Sequence, residues 1–211
     1  MNMLPKHQVI NHIMKQKVVA VIRAANANEA IAISKAAISG GISVIELTFT
    51  TPFIEDAFKG LVDEDAVIGA GTVLDPETAR IAILANAKFI VSPHYDKEIA
   101  KMCNRYAIPY LPGCMTITEM NKAMEGGCDI LKLFPANQFK PSIISAFKGP
   151  LPHTHFMPTG GVSLDNISDW LQAGAVAVGI GSDLTKAYKA GGEEAVRKLA
   201  ETYMEKVKGV K

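Results

Sequence analysis

The sequence predicts a (β/α)8 barrel, a closed ring of eight parallel strands in which each strand is followed by a helix. Short runs of β-branched residues recur every ~20–25 residues and alternate with stretches of helical periodicity, which is typical of a parallel sheet. Eight such units fit into 211 residues, near the lower size limit of closed barrels. We therefore expect one compact domain over residues 1–211.

The predicted strands are short runs of apolar and β-branched residues. They are VVAVIR (18–23), SVIELTF (43–49), VIGAGTV (67–73), FIVSP (89–93), PYLPG (109–113), DILKLF (129–134), HFMPTGG (155–161) and AVAVGIG (175–181). Helical patterns between them include ANEAIAISKAAIS, DPETARIAILANA, DKEIAKMCNRYA and TITEMNKAME. The segment before Val18 is expected to form a helix that caps the bottom of the barrel. The main alternative is an open doubly wound sheet, but RAANANEA lacks the glycine-rich turn that such a sheet usually carries after its first strand.

Composition and charge argue against several classes of protein. The formal net charge is only +1, so no extended basic face is expected to bind nucleic acid. No apolar run reaches the ~18 residues of a membrane span, and the N-terminal segment lacks the apolar core of a signal peptide. Cys103, Cys114 and Cys128 form no CxxC pair. These features indicate a cytoplasmic protein with reduced thiols and without a nucleic-acid or membrane partner.

The alternation of side chains along each strand predicts which residues point into the barrel. If Lys132 points inward, Ile130 and Phe134 share its face. The other inward sets are Val19, Val21 and Arg23; Val44, Glu46 and Thr48; Ile68, Ala70 and Thr72; and Met157, Thr159 and Gly161. The polar member of each set lies toward the carboxyl end of its strand, which is where barrel enzymes build their sites. These polar side chains are therefore expected at one mouth of the barrel.

Lys132 interrupts the apolar strand DILKLF, where a buried, unpaired ammonium would be costly. A lysine that snorkels to the barrel end is the ordinary explanation, but convergence with Glu46 and Arg23 favours a reactive amine. Apolar surroundings and a neighbouring cation disfavour the ammonium, and the neutral amine attacks carbonyls to form a Schiff base. Glu46 is the candidate acid–base group, and Arg23 is the candidate residue for binding a carboxylate of the substrate through its guanidinium. For both, a neutralising salt bridge is the alternative.

Two glycine-rich motifs, PTGGVS (158–163) and GIGSDL (179–184), end the last two predicted strands. A helical pattern follows each, so backbone amides and a helix N-terminus can surround an anion there. Phosphate sites in these positions recur in (β/α)8 barrels. The glycines of GAGT in the third strand are ascribed to close packing of strand against helix. No metal site is expected, because His153 and His155 fall at the start of a strand and the other histidines form no ligand cluster.

In order along the chain, VVAVIR, GGISVIELTFTTP, IGAGTV, VSPH, PGCMT, LKLFPA, PTGGV and GIGS resemble the 2-keto-3-deoxy-6-phosphogluconate / 4-hydroxy-2-oxoglutarate aldolases. The resemblance covers nearly the whole chain from Val18 onward. It implies a homotrimeric class I aldolase that needs no metal or cofactor. By this resemblance Lys132 forms the Schiff base and Glu46 is the general acid/base. Its further implied site residues are Thr72, Pro93 and Phe134 for the pyruvyl part of the substrate and Gly160, Gly161, Gly181 and Ser182 for its phosphate. Thr159 is added to the substrate-binding residues because it belongs to the inward set of the seventh strand.

The implied reaction splits 2-keto-3-deoxy-6-phosphogluconate into pyruvate and glyceraldehyde 3-phosphate, with 4-hydroxy-2-oxoglutarate as a second substrate. Some family members carry an arginine where this chain has Thr50, so the substrate's carboxylate is assigned to Arg23 instead. Several alternatives stay open at this point: an aldolase for the galactonate epimer or for an unphosphorylated 2-oxoacid, a non-catalytic sugar-phosphate-binding barrel, and a phosphate-binding isomerase or synthase.

Overall fold

The computed structural model describes residues 3–210 and contains the parallel eight-stranded barrel that the sequence predicts. The strands are β1 (Val18–Ile22), β2 (Val44–Thr48), β3 (Val67–Gly71), β4 (Ile90–Ser92), β5 (Tyr110–Cys114), β6 (Leu131–Leu133), β7 (Phe156–Pro158) and β8 (Val178–Ile180). They pair in the order β7-β6-β5-β4-β3-β2-β1-β8. A bridge between Thr159 and Gly179 brings β7 beside β8 and closes the ring.

One helix precedes the first strand, and one follows each of the eight strands to form the outer layer. They are α1 (Pro5–Gln16), α2 (Ala27–Ser39), α3 (Ile54–Gly60), α4 (Pro76–Leu84), α5 (Lys97–Arg105), α6 (Ile117–Glu125), α7 (Ile143–Lys148), α8 (Ile167–Gln172) and α9 (Ser182–Lys208), with a 3-10 turn at Ala136–Gln138. Side-chain caps fix several helix starts, such as Asn26, which accepts from the Glu29 amide, and the capping box of Thr116 and Glu119. α9 is broken at Gly191 and Gly192. No helix among residues 3–210 is both long and apolar enough to cross a membrane.

The first helix closes the amino-terminal end of the barrel, as the sequence predicts. Ile10 and Ile13 of α1 pack with the inward-facing side chains Val19, Val44 and Phe89. Burying these apolar side chains stabilises the lower half of the barrel by roughly 1.5–3 kcal/mol for each large residue. These side chains therefore fill the interior of the barrel at its amino-terminal end.

The predicted orientation of β3 is wrong by one residue. Ile68 and Ala70 pack against the helices, so the odd-numbered positions point inward. A Cβ atom at Gly69 would overlap the ring of Phe89, and one at Gly71 would overlap the carboxylate of Glu46. The glycines of GAGT therefore make room inside the barrel and do not serve strand-to-helix packing. The alternation of side chains could not decide which face of β3 points into the barrel, because strands of a parallel barrel are apolar on both faces.

The three cysteines are free and buried, which predicts a loss of stability at alkaline pH. Burial raises the pKa of Cys103 and of Cys114 to about 12 and raises that of Cys128 as well. Above the ordinary thiol pKa the unfolded chain ionises while the folded chain does not. The unfolding free energy should therefore be retained below about pH 8.5 and then fall by up to about 1.4 kcal/mol per pH unit for each thiol.

Urea unfolding between pH 8 and pH 10 measures this slope. Cys103→Ala should make the slope shallower, because one thiol no longer contributes to it. An equally steep slope in that variant would contradict the claim that the buried Cys103 thiol contributes to the loss of stability at alkaline pH.

Candidate active site

A cavity of about 790 Å³ opens at the carboxyl ends of the strands. All of the site residues that the sequence predicts line it: Arg23, Glu46, Thr72, Pro93, Lys132, Phe134, Thr159, Gly160, Gly161, Gly181 and Ser182. Each belongs to a strand or to the residues directly after one, and parallel strands in a ring bring such positions together. The structure thus gathers the whole predicted set into one cavity.

Lys132 and Glu46 form the buried centre of this cavity. They lie in the middle of β6 and β2, and their side chains are 7% and 1% exposed. Lys132 Nζ is 3.6 Å from Glu46 Oε1 and 5.0 Å from the centroid of the Phe134 ring. The salt bridge with Lys132 that the sequence allows for Glu46 is therefore present, and it is compatible with a role in proton transfer.

The carboxylate of Glu46 has unused hydrogen-bonding capacity. Neither of its oxygens has a hydrogen-bond partner among the described residues, although the residue is completely buried. Buried polar groups are normally satisfied, because leaving one without a partner costs about 1–3 kcal/mol. The inward-facing Gly71 leaves the space that this carboxylate occupies. The arrangement places a potential nucleophile beside a proton acceptor that is free to bind a ligand's hydroxyl group.

Pro93 and Thr72 form one wall of the cavity. Pro93 lies in a loop that is tied down on both sides: the Ser92 hydroxyl donates to the His94 carbonyl (2.6 Å), and the Asp96 amide donates to the phenol oxygen of Tyr110 (3.2 Å). Burial raises the pKa of Tyr110, which keeps this phenol neutral. Thr72 follows β3 in a left-handed conformation (φ 57°). That turn lets Thr72 line the cavity despite the shifted orientation of β3.

Arg23 lies at the rim, directly after β1. Its Nε donates to Thr50 Oγ1 at 3.1 Å, and the side chain forms no ion pair within residues 3–210. The neutralising salt bridge that the sequence allowed for Arg23 is therefore not present, since Glu46 pairs with Lys132 instead. An exposed guanidinium with free N–H groups is well suited to bind a carboxylate.

The glycine-rich ends of β7 and β8 form the side of the cavity that lies across the ring from β3 and β4. Gly160 and Gly161 both have positive φ values (89° and 82°), a backbone conformation that favours glycine. Ser182 begins α9, so backbone amides and the helix N-terminus face the cavity together. The Tyr203 hydroxyl donates to Asp183 Oδ2 at 2.8 Å and ties this first turn to the rest of α9. The site can accommodate an anionic group here.

The described residues contain no metal-binding cluster. No group of three or more His, Cys, Asp or Glu side chains between residues 3 and 210 is arranged to hold a metal ion. His153 and His155 lie before β7 and line a different cavity with α1, at the opposite end of the barrel. Their position agrees with the sequence-based prediction that they lie at the wrong end for catalysis.

The family model described as KDPG and KHG aldolase matches residues 9–199. The chain belongs to this aldolase family. The aldolase is 35% identical to 2-dehydro-3-deoxy-6-phosphogalactonate aldolase of Escherichia coli K12 over 177 residues, or 82% of this chain and 86% of that relative. It is 34% identical to KHG/KDPG aldolase of the same strain over 196 residues, or 90% and 92% of the two chains.

Solved structures of this family share the fold of the chain. A native KDPGal structure gives a TM-score of 0.84 at 32% identity, covering 92% of this chain and 95% of that one. KDPG aldolase from Legionella pneumophila, with pyruvate captured as a covalent carbinolamine intermediate, gives 0.83 at 28% identity, covering 94% and 97%. As a member of this family the protein is a carbon–carbon lyase.

The aldolase has cavity residues that sequence reasoning missed. Lys186 and Lys189 lie on the first turns of α9, are exposed, and line the cavity near its glycine-rich side. Within residues 3–210 neither forms an ion pair. The two lysines follow GIGSDL and are three residues apart. That spacing could have indicated that both lie on the same face of the helix. Glu29 also lines the cavity, and one of its carboxylate oxygens accepts the Ala25 amide.

Proposed function

We propose that the aldolase cleaves 2-keto-3-deoxy-6-phosphogluconate to pyruvate and glyceraldehyde 3-phosphate through a Schiff base on Lys132. The observation that carries this proposal is the buried Lys132 amine 3.6 Å from a Glu46 carboxylate whose oxygens have no hydrogen-bond partner among the described residues. The carbinolamine described for the Legionella relative supports it, since that intermediate forms when an amine adds to a ketone. KHG/KDPG relatives support 4-hydroxy-2-oxoglutarate as a second substrate, which would yield pyruvate and glyoxylate.

The first half of the cycle builds an electron sink. The neutral amine of Lys132 adds to the C2 ketone of the substrate and gives a carbinolamine. Glu46, which takes the proton that the Lys132 ammonium loses when the amine is freed, returns it directly or through a water so that the hydroxyl leaves as water, and an iminium remains. The positive nitrogen can then accept the electron pair of the bond that breaks.

The second half breaks the carbon–carbon bond. The Glu46 carboxylate takes the proton of the C4 hydroxyl, and the C4–O bond becomes the carbonyl double bond of the aldehyde. The electron pair of the C3–C4 bond moves toward the iminium and gives an enamine. After the aldehyde leaves, C3 takes up the proton that Glu46 holds, and water hydrolyses the resulting iminium to pyruvate and the ammonium form of Lys132. Glu46 thus moves protons in both halves, which fits its contact with Nζ.

The substrate's two charged ends give it a direction in the cavity. We place its carboxylate at Arg23 and its reacting carbons against Thr72, Pro93, Phe134 and Thr159. We place its phosphate at the backbone of Gly160, Gly161, Gly181 and Ser182.

Pyruvate release from three substrates tests this proposal. The galactonate epimer is the second candidate, because the phosphogalactonate relative is about as similar as the KHG/KDPG one. A coupled pyruvate assay on both phosphorylated epimers and on 4-hydroxy-2-oxoglutarate compares their kcat/KM values. We expect the highest value with 2-keto-3-deoxy-6-phosphogluconate; a higher value with the epimer would reassign the substrate, and no pyruvate from any of the three would refute the proposal.

Lys186 and Lys189 are expected to add charge attraction to the phosphate site. The double variant Lys186→Gln/Lys189→Gln should raise KM for the phosphorylated substrate by roughly 3- to 20-fold, because two exposed cations are lost. KM for 4-hydroxy-2-oxoglutarate, which has no phosphate, should change much less. Lys206→Gln, farther along α9, is the matched control. Equal increases in KM for both substrates would mean that the lysines do not recognise the phosphate.

We also propose that the aldolase acts as a cytoplasmic homotrimer on small molecules. Exposed apolar side chains on the loops after β2, β3 and β5 support self-association: Phe53, Leu74 and Met115 are 80%, 54% and 39% exposed. A cage designed by fusing symmetric oligomeric domains is structurally similar (TM-score 0.85, 32% identity). The free thiols fit a reducing compartment. Light scattering should give three times the chain mass of 22.6 kDa; the mass of a single chain would refute the trimer.

A further inference from the structure

We infer that Thr50 is a positioning residue: its hydroxyl holds the guanidinium of Arg23 in the orientation that binds the substrate's carboxylate. This inference rests on the carboxylate role proposed above for Arg23. Arg23 lines the cavity, whereas Thr50 is not among the residues that line it. A 3.1 Å hydrogen bond from Arg23 Nε to Thr50 Oγ1 connects the two side chains. We therefore expect any effect of the Thr50 hydroxyl on the carboxylate to pass through Arg23.

The hydroxyl groups around Arg23 form a chain with one consistent direction. Thr48 Oγ1 donates its proton to the Ile22 carbonyl at 2.9 Å. A hydroxyl has a single proton, so in the 3.1 Å contact between Thr48 and Thr50 it is Thr50 that donates. The oxygen of Thr50 then presents its lone pairs to Arg23 Nε. Every hydroxyl in the chain both donates and accepts, which makes Thr50 a directed acceptor for the arginine.

The backbone of Arg23 is held from both sides as well. The amide of Ala24 donates to Thr51 Oγ1 at 3.2 Å, and Thr185 Oγ1 donates to the Arg23 carbonyl at 3.3 Å. Thr48 and Thr51 are 0% and 3% exposed, so two of the anchoring side chains are themselves fixed by packing. Residues 48–51 therefore act as a clamp on the end of β1.

The clamp leaves the useful part of the guanidinium free. Arginine has five N–H donors, and Thr50 uses only the one on Nε. The two terminal nitrogens stay available for a bidentate contact with a carboxylate. Fixing the long, exposed side chain in advance lowers the entropy that is lost when the substrate binds.

Four variants test this inference with the coupled pyruvate assay on 2-keto-3-deoxy-6-phosphogluconate. Thr50→Val keeps the shape but removes the hydroxyl, and it should raise KM about 3- to 10-fold with little change in kcat. Thr50→Ser keeps the hydroxyl and should restore most of the wild-type KM. Arg23→Met should raise KM roughly 10- to 100-fold. In the double variant Arg23→Met/Thr50→Val, loss of the Thr50 hydroxyl should add nothing to the effect of Arg23→Met.

The outcomes separate failure of this inference from failure of the proposed function. If Arg23→Met raises KM but Thr50→Val does not, the positioning role is refuted and the carboxylate role of Arg23 stands. The positioning role also fails if Thr50→Val has the same effect with and without Arg23. If Arg23→Met has no effect, the carboxylate assignment fails and this inference with it. Melting temperatures of all four variants identify any general loss of folding, and a Thr50→Val increase in KM that merely follows a lower melting temperature counts against the inference.

Discussion

Glu46→Gln is expected to lower kcat by roughly 10²–10⁴ while the protein still folds. Glutamine keeps the size of the side chain and some of its hydrogen bonding, but it cannot accept and return a proton. A loss of that size is typical when a general acid–base group is removed. The measurement is kcat at saturating 2-keto-3-deoxy-6-phosphogluconate, together with the melting temperature of the same preparation.

The alternative is that Glu46 only balances the charge of Lys132. In that case the main damage should be to stability, because a buried cation that loses its partner costs about 3–5 kcal/mol. Glu64→Gln, which changes a carboxylate paired with Lys35 on the surface, is the matched control. A Glu46→Gln protein that melts much earlier yet turns over almost normally at low temperature would refute the catalytic role.

Lys132→Met is expected to abolish cleavage, because it removes the buried amine that forms the covalent electron sink. Methionine has a similar length and suits the apolar surroundings, so the barrel should still form. The substitution leaves the Glu46 carboxylate buried without its cation, which should reduce the unfolding free energy by about 3–5 kcal/mol. Adding Glu46→Gln to Lys132→Met should recover much of that stability but none of the activity.

Lys101→Met is the control for the loss of a lysine as such, since Lys101 lies on the surface and pairs with Glu98. It should leave both kcat and stability nearly unchanged. Residual cleavage by Lys132→Met within about tenfold of the wild type would show that the amine is not the nucleophile.

The sequence predicts the fold and most of the candidate site because both depend on strong, local patterns. Repeated strand and helix units indicate the barrel, and the barrel alone brings the ends of distant strands together. Lys132 is conspicuous because a charged residue in an apolar strand requires an explanation. Glu46 is found by the same reasoning, since it occupies the centre of another apolar strand.

Other features depend on packing that no local pattern encodes. The orientation of β3 was mispredicted because both of its faces are apolar, and only the rings and carboxylates that fill the space beside its glycines decide it. Lys186 and Lys189 lie on an ordinary amphipathic helix, so their cavity-facing position follows from where α9 begins. The clamp on Arg23 joins residues 26 or more positions apart along the chain, which spacing cannot reveal.

Borohydride trapping with pyruvate, followed by peptide mapping, tests the central claim most directly. If Lys132 forms the Schiff base, reduction should fix one pyruvyl group per chain on the peptide that contains Lys132, and Lys132→Met should remain unlabelled. Labelling of any other lysine, with Lys132 unmodified in the wild-type protein, would contradict the account.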